Sequence, residues 1–243
     1  MKENLIEIFS SIQGEGKYVG CRQVFVRFEG CNLDCRYCDT ENTPGSHAQC
    51  EVETYAGSRE FAKLPNPRSV EQTAMEINRL CHEVPHQAVS FTGGEPLLHA
   101  GYIRELAKEI DVPVFLETNG TLHQQLAEII DVVDIISMDI KLPSIINTPQ
   151  WEAHKRFIEV AKAKDLYIKL VVGEETTEEE FRQAIDLVAE TAPETLFIIQ
   201  PVTPYGGCKA ASPEKILICQ NYALSKLKDV RVIPQTHKMI AQL

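Results

Sequence analysis

The sequence predicts an α/β fold, a parallel sheet with helices packed outside it. Three observations carry that reading. Apolar runs of strand length, rich in β-branched residues, recur along the chain. Stretches with apolar residues at helical spacing separate them. Polar and glycine residues gather where the apolar runs end. Alternating strands and helices connect as right-handed βαβ units, so the strands lie parallel. Strands covered on both faces read as continuous apolar runs, as these do.

The elements follow in chain order. QVFVRFEG (23–30) is the first strand, and it feeds a loop holding three cysteines. Residues 43–68 contain Gly, Pro and Ser without a clear period and read as an irregular insertion. SVEQTAMEINRLCHEV (69–84) is a helix: Ser69 is the N-cap, and Val70, Ala74, Ile77 and Leu80 form its apolar face. AVSFTGG (88–94) is a strand ending in a turn, and 99–110 is a helix. VPVFLET (112–118), DVVDIISMDI (131–140), LYIKLVV (166–172) and TLFIIQP (195–201) are further strands. Helices near 122–130, 149–163, 177–191 and 213–228 separate them, and RVIP (231–234) is a last short strand. The chain reads as one domain, 1–243, with a C-terminal segment, 230–243, closing the site. About six βα units allow an open doubly wound sheet or a partial barrel. In both, the site lies at the carboxyl ends of the strands.

Composition narrows the partners. The net charge of −11 argues against broad nucleic-acid binding, which needs a basic surface. No apolar run is long enough to span a bilayer, and the N-terminal stretch lacks the apolar region of a signal peptide. A cytoplasmic location is the expectation. In a reducing compartment, clustered cysteines read as metal-binding or catalytic before disulfide.

CNLDCRYC (31–38) places Cys31, Cys35 and Cys38 at C-x3-C-x2-C spacing. Soft thiolates suit iron–sulfur clusters or zinc. Three local thiolates bind three irons of a cubane and leave the fourth open to a small molecule, unlike ferredoxin runs that supply four. Zinc is the alternative, with Cys35, Cys38, His47 and Cys50 as ligands, but it leaves Cys31 unexplained. Cys21, Cys81, Cys208 and Cys219 are scattered and read as small apolar residues.

The cysteine loop resembles that of the radical S-adenosylmethionine superfamily, and FTGGEP (91–96) resembles its glycine-rich turn. SSIQGEGKYVG (10–20), VFVRFEGCN, ETNGT (117–121) and PQTHKMIAQL (234–243) are similar to one family within it, the 7-carboxy-7-deazaguanine synthases of queuosine and deazapurine formation. The resemblance implies a partial (βα)6 barrel. It implies a [4Fe–4S] cluster on Cys31, Cys35 and Cys38, with S-adenosylmethionine on the open iron, and Mg2+ as a further cofactor. For S-adenosylmethionine it implies contacts from Tyr37, Cys38 and Asp39, from Gly93, Gly94 and Glu95, from Ser137, Met138, Asp139 and Lys141, and from Gln200. The family reaction is a radical ring contraction of 6-carboxy-5,6,7,8-tetrahydropterin that releases ammonia. A homodimer and an electron donor such as flavodoxin or ferredoxin are expected with it.

The pterin sets demands on the remaining residues. Its amino-pyrimidinone edge needs acceptors, which Ile12, Gln13 and Gly14 offer as backbone and Glu15 or Glu117 as carboxylates. Its carboxylate needs a cation, and Arg27 supplies a forked one. Thr92 is placed to hydrogen-bond the substrate, and Thr40 to put a hydroxyl on Mg2+. His237 sits in a family-like motif, and the Leu243 carboxylate is an expected substrate acceptor if the terminal segment folds across the opening. A glycyl-radical activase shares the cysteine spacing and stays open as a second enzyme reading. A zinc-binding module without catalysis is the third.

Overall fold

The computed structural model describes residues 1–38, 40, 43 and 45–242. Asp39 and Leu243 lie outside the described residues. The chain starts with β1 (Lys2–Glu3) and β2 (Leu5–Ile12), then β3 (Arg22–Phe28). After the cysteine loop come β4 (Gln49–Glu53), β5 (Phe61–Pro65) and β6 (Arg68–Ser69). The alternating part runs α1 (Val70–Glu83), β7 (Ala88–Gly93), α2 (Ala100–Leu106), β8 (Val114–Thr118), α3 (His123–Ile129) and β9 (Ile135–Ile140). It continues through α4 (Pro143–Ile146), α5 (Trp151–Ala161), β10 (Asp165–Val172), α6 (Glu178–Thr191), β11 (Leu196–Pro201), α7 (Pro213–Leu224), β12 (Val230–Val232) and α8 (Thr236–Met239).

Ten strands form one sheet in the order β12-β11-β10-β9-β8-β7-β3-β2-β4-β5. The seven from β12 to β3 are parallel. Six of them, β3 and β7 to β11, are each followed by helix before the next parallel strand, which is the (βα)6 arrangement. β2 lies antiparallel on β3 and covers the free edge of the parallel array.

Local chemistry sets the helix starts. Ser69 and Thr177 each close a capping box, with Gln72 and Glu180 reaching back. Pro213 opens α7, where its missing N–H costs nothing. Strand alternation sets the layers. Val24, Val26, Val89, Phe91, Leu116, Ile136, Met138, Ile168, Leu170, Phe197 and Ile199 join the main apolar core with the helices. A second, smaller cluster of Phe115, Ile135, Tyr167, Leu196 and Ile198 fills the opposite face near the amino ends.

Four departures from the sequence expectation matter. The 43–68 stretch carries regular structure where none was expected: β4 and β5 pair as an antiparallel hairpin, with β4 added to β2. LIEIFSSI is a full sheet strand, because β3 offers it an open edge. β9 begins at Ile135, four residues after the expected start, because residues 130–132 wind as a 3-10 turn. The short α4 and α8 have too few residues to show a helical period.

Candidate active site

The first build-up is the cysteine loop between β3 and β4. The Cys38 amide donates to the Cys35 carbonyl at 2.9 Å, and the Arg36 amide to the Ile145 carbonyl at 3.3 Å. The Leu33 amide and the Asn119 side chain reach Cys31 Sγ at 3.4 and 3.9 Å. Asn119 is itself held, donating to Asn32 Oδ1 at 2.8 Å, with its carbonyl 3.2 Å from Nε2 of the buried His154. All three thiols line one cavity of about 210 Å³ at the carboxyl ends of the strands. Burial pushes the Cys31 and Cys35 thiols up, opposed by the Leu33 amide at Cys31 and by the Lys141 ammonium at Cys35. Desolvated neutral thiols ionise when a soft cation takes the place of the proton.

The second part is the turn after β7. Gly93 has φ +122°, and a Cβ there would lie 2.3 Å from the Phe28 carbonyl oxygen. Only glycine lets this turn press against the end of β3. Gly93 and Gly94 therefore border the cavity with bare backbone.

The third part is the inner face of the sheet. Register puts Arg27 beside Thr92, Glu117 beside Ser137, and Asp139 beside Lys169. Alternate residues of one strand share a face, so these side chains converge on the cavity. Arg27 Nε donates to Glu7 Oε1 at 2.6 Å, which fixes the guanidinium across β2 and β3. Glu117 accepts from Gln13 Nε2 at 2.7 Å and from Thr92 Oγ1 at 3.0 Å. Lys169, only 3% exposed, pairs with Glu15 and lies 3.5 Å from Asp139. Lys141 donates to Asp139 Oδ2 at 2.8 Å and sits over the Tyr37 ring, 5.2 Å from its centroid. Positive and negative groups alternate from Glu15 to Lys169, Asp139 and Lys141.

Charge pairing, not exposure, sets the ionisation. Burial would raise the Glu15 carboxyl, but the Lys169 ammonium and bonds from Lys169 and Gln235 bring it down to about 2. Burial also disfavours charge on Lys141 and Lys169, yet Asp139 beside both and Glu15 beside Lys169 hold them well above the usual range. Burial pushes Tyr37 up to about 12.

A second cavity of about 130 Å³ adjoins the first and shares Glu15, Arg27, Thr92, Glu117 and Gln235 with it. Phe9, Ile12, Gln13, Gly14, Phe25 and His237 complete its wall. The segment carrying α8 covers it. The Thr236 amide donates to the Gly14 carbonyl at 2.8 Å, and Gln235 Nε2 to Glu15 Oε1 at 2.6 Å. Any side chain at position 14 would collide with His237, so glycine permits that cover.

Most of the expected residues meet here. Cys31, Cys35, Tyr37, Cys38, Thr40, Gly93, Gly94, Ser137, Asp139, Lys141 and Gln200 line the larger cavity with Glu15, Arg27, Thr92 and Glu117. Two expected side chains do not. Glu95 is fully buried behind the turn, where it accepts from Leu97 N, Thr118 Oγ1 and Asn119 N. Burial pushes its carboxyl up to about 7, offset in part by those donors. It clasps the end of β7 to the end of β8. Met138 faces the helices and is fully buried in the main core. The zinc set is not assembled either: Cys50 is buried in that core, and His47 is bonded to Glu29.

Sequence reasoning passed over Lys169, Gln235 and Glu7. Lys169 had a signal, a lysine inside the apolar strand YIKLVV, because a charge on a buried strand needs a partner. Gln235 and Glu7 act through long-range contacts that no local pattern shows.

The residues present fit a cluster and its ligand. Among the described residues, Gln200 Oε1 is buried without a hydrogen bond and Asp139 Oδ1 has only the Lys169 ammonium at 3.5 Å, although both residues border the cavity. Such unfilled acceptors suit a ligand rich in N–H and O–H groups.

Comparison with known proteins agrees. A model of the radical SAM superfamily matches residues 25–188. The chain is 42% identical to 7-carboxy-7-deazaguanine synthase of Geobacter sulfurreducens, over 98% of this chain and 97% of that one. It is 38% identical to the Methanocaldococcus jannaschii protein of the same name, over 98% and 99%. The crystal structure of QueE from Escherichia coli shares the fold, with a TM-score of 0.65 at 20% identity, covering 98% of this chain and 95% of that one.

Proposed function

The chain belongs to the radical SAM superfamily and, within it, to the 7-carboxy-7-deazaguanine synthases; on that premise we propose that it converts 6-carboxy-5,6,7,8-tetrahydropterin to 7-carboxy-7-deazaguanine with release of ammonia. One observation supports this above the others: the three cysteines share a continuous polar cavity with Arg27, Glu15 and Glu117. Cys31, Cys35 and Cys38 would hold a [4Fe–4S] cluster in the cavity that S-adenosylmethionine would share, and the two would supply one-electron chemistry when bound.

The protein's own residues bind and orient. Gly93 and Gly94 let the methionine part approach the backbone, and Ser137, Asp139 and Gln200 accept its donors. Arg27, aimed by Glu7, takes the pterin carboxylate. Glu117, steadied by Gln13 and Thr92, keeps lone pairs for the amino-pyrimidinone N–H groups. Lys169 keeps Glu15 ionised as a second acceptor. Thr40, which lines the larger cavity, would give a hydroxyl to Mg2+, a hard cation that prefers oxygen donors. Among the described residues no helix is long and apolar enough to cross a membrane. We further propose a cytoplasmic homodimer reduced by a flavodoxin or ferredoxin.

The covered second cavity suits a small heterocycle better than the protein substrate of a glycyl-radical activase. The test is anaerobic turnover with the carboxytetrahydropterin, S-adenosylmethionine, dithionite and Mg2+, followed by mass spectrometry. Product of the deazaguanine mass is expected. An intact cluster that yields no such product would overturn the reading.

A further inference from the structure

We propose that Arg59, at the tip of the β4–β5 hairpin, is a positioning residue that tethers the α8 segment over the substrate end of the cavity. The proposal rests on the functional reading above, and it gives the 43–68 insertion a role. Arg59 has φ +59°, a left-handed conformation that arginine rarely adopts. It is held there from behind. Its amide donates at 2.9 Å to Oε1 of Glu53, a carboxylate only 1% exposed, whose Oε2 accepts from the Ser10 amide on β2. The arm is braced by α1 as well. Arg79 donates to the Glu53 and Thr54 carbonyls at 2.6 Å each, and Glu83 accepts from the Ala56 amide at 2.6 Å.

From this platform Arg59 Nη1 donates to the Ala241 carbonyl at 3.0 Å. Ala241 also has positive φ, +53°. Two residues in conformations that side chains disfavour are thus joined across 182 positions. Unfavourable backbone persists only where surrounding structure holds it. Beyond Ala241 the connection reaches the site directly. The Gln242 amide donates to the His237 carbonyl at 2.9 Å, His237 and Gln235 line the second cavity, and Thr236 is bonded to Gly14. A hairpin far from the cysteines therefore sets how the cover lies on Glu15 and Gly14.

The test uses Arg59→Gly, which accepts positive φ and removes the whole side chain, guanidinium included. In the reconstituted holoenzyme, hydrogen exchange at the Thr236 and Gln242 amides should accelerate while that of β3 and β7 stays unchanged. The KM for the pterin should rise about three- to tenfold with kcat within about twofold, because the lost bond is solvent-exposed and acts on the site only through the segment. Arg59→Lys, which keeps a cation, should recover part of the KM. Unchanged exchange at Thr236 and Gln242 in Arg59→Gly overturns the tether, as does faster exchange with an unchanged KM. If the parent enzyme itself fails to turn over the pterin, the functional reading falls, and the exchange data alone decide whether Arg59 holds the segment.

Discussion

Adjacent residues of β10 occupy opposite surroundings. Ile168 is fully buried among the helices, whereas Lys169 turns the other way into the cavity and pairs with Glu15 and Asp139. β9 repeats the division, with Ile136, Met138 and Ile140 on the helix face and Ser137 and Asp139 on the cavity face. The inner face also changes along its length, from apolar Ile135 and Tyr167 to polar Ser137, Asp139 and Lys169. The fold is thus carried by one face of each strand, and the chemistry by the carboxyl half of the other. Substitutions on the two faces should therefore fail in different ways.

The largest contrast is between thiols. Cys31→Ala or Cys35→Ala should abolish both the iron–sulfur absorbance and turnover after anaerobic reconstitution. Cys50→Ala, in the helix-side core, should keep both. Loss of the cluster in Cys50→Ala would mean that the two faces share the metal site.

Next is Ile168→Ala, which should cost about 2–5 kcal/mol of unfolding free energy, as buried apolar truncations do. Its turnover per folded molecule should stay near the parent value. Urea denaturation beside active-site titration checks this, and a fall in turnover with unchanged stability would reverse the assignment of faces.

The third contrast is pH. The Glu15 carboxyl titrates at about 2 in the folded chain, below the 4.5 of an unperturbed glutamate. A depressed acid contributes stability that is fully present above about 4.5 and is lost as pH falls toward 2. Lys169→Met leaves burial unopposed by its ammonium, so the carboxyl rises and the loss begins at higher pH. Acid unfolding of Lys169→Met should set in at least about one pH unit above the parent. Superimposable acid curves would sink the claim that this pair governs Glu15.

The smallest effect is at Ser137. Its Oγ is buried beside the Tyr167 hydroxyl, so Ser137→Ala should cost at most about 0.5–1.5 kcal/mol of stability. If the hydroxyl serves the cofactor, S-adenosylmethionine affinity should drop about three- to tenfold, the value of one neutral hydrogen bond. Unchanged binding by calorimetry would return Ser137 to the apolar layer below it.

The sequence carried much of this division, with uneven clarity. The helix-side face was legible because Val, Ile, Leu and Phe recur on strand after strand. The cysteine loop and Gly93 were legible because spacing and a bare backbone are local properties. Lys169 was hidden inside what looked like an uninterrupted apolar run, since one charge hardly changes the run's average. Glu95 looked like a ligand residue because its place in the motif is local, but the donors that occupy it come from the end of β8, on another strand. The β4–β5 hairpin was obscured by glycines and prolines that serve its turns and ends. The roles of Glu7, Gln235 and Arg59 depend on partners 20, 220 and 182 positions away, so no window of sequence displays them.

The cover over the second cavity has a consequence for the order in which a growing chain becomes competent. Tyr37 meets Lys141 across 104 positions, and of the residues that line the larger cavity only Gln235 and Lys238 come after Thr203. Gln235 and Thr236 meet Glu15 and Gly14 only across 220 and 222 positions. Closing so long a loop is entropically costly and must wait for synthesis of its far end. A nascent chain can thus assemble most of the wall around the cysteines while the second cavity still has an open roof.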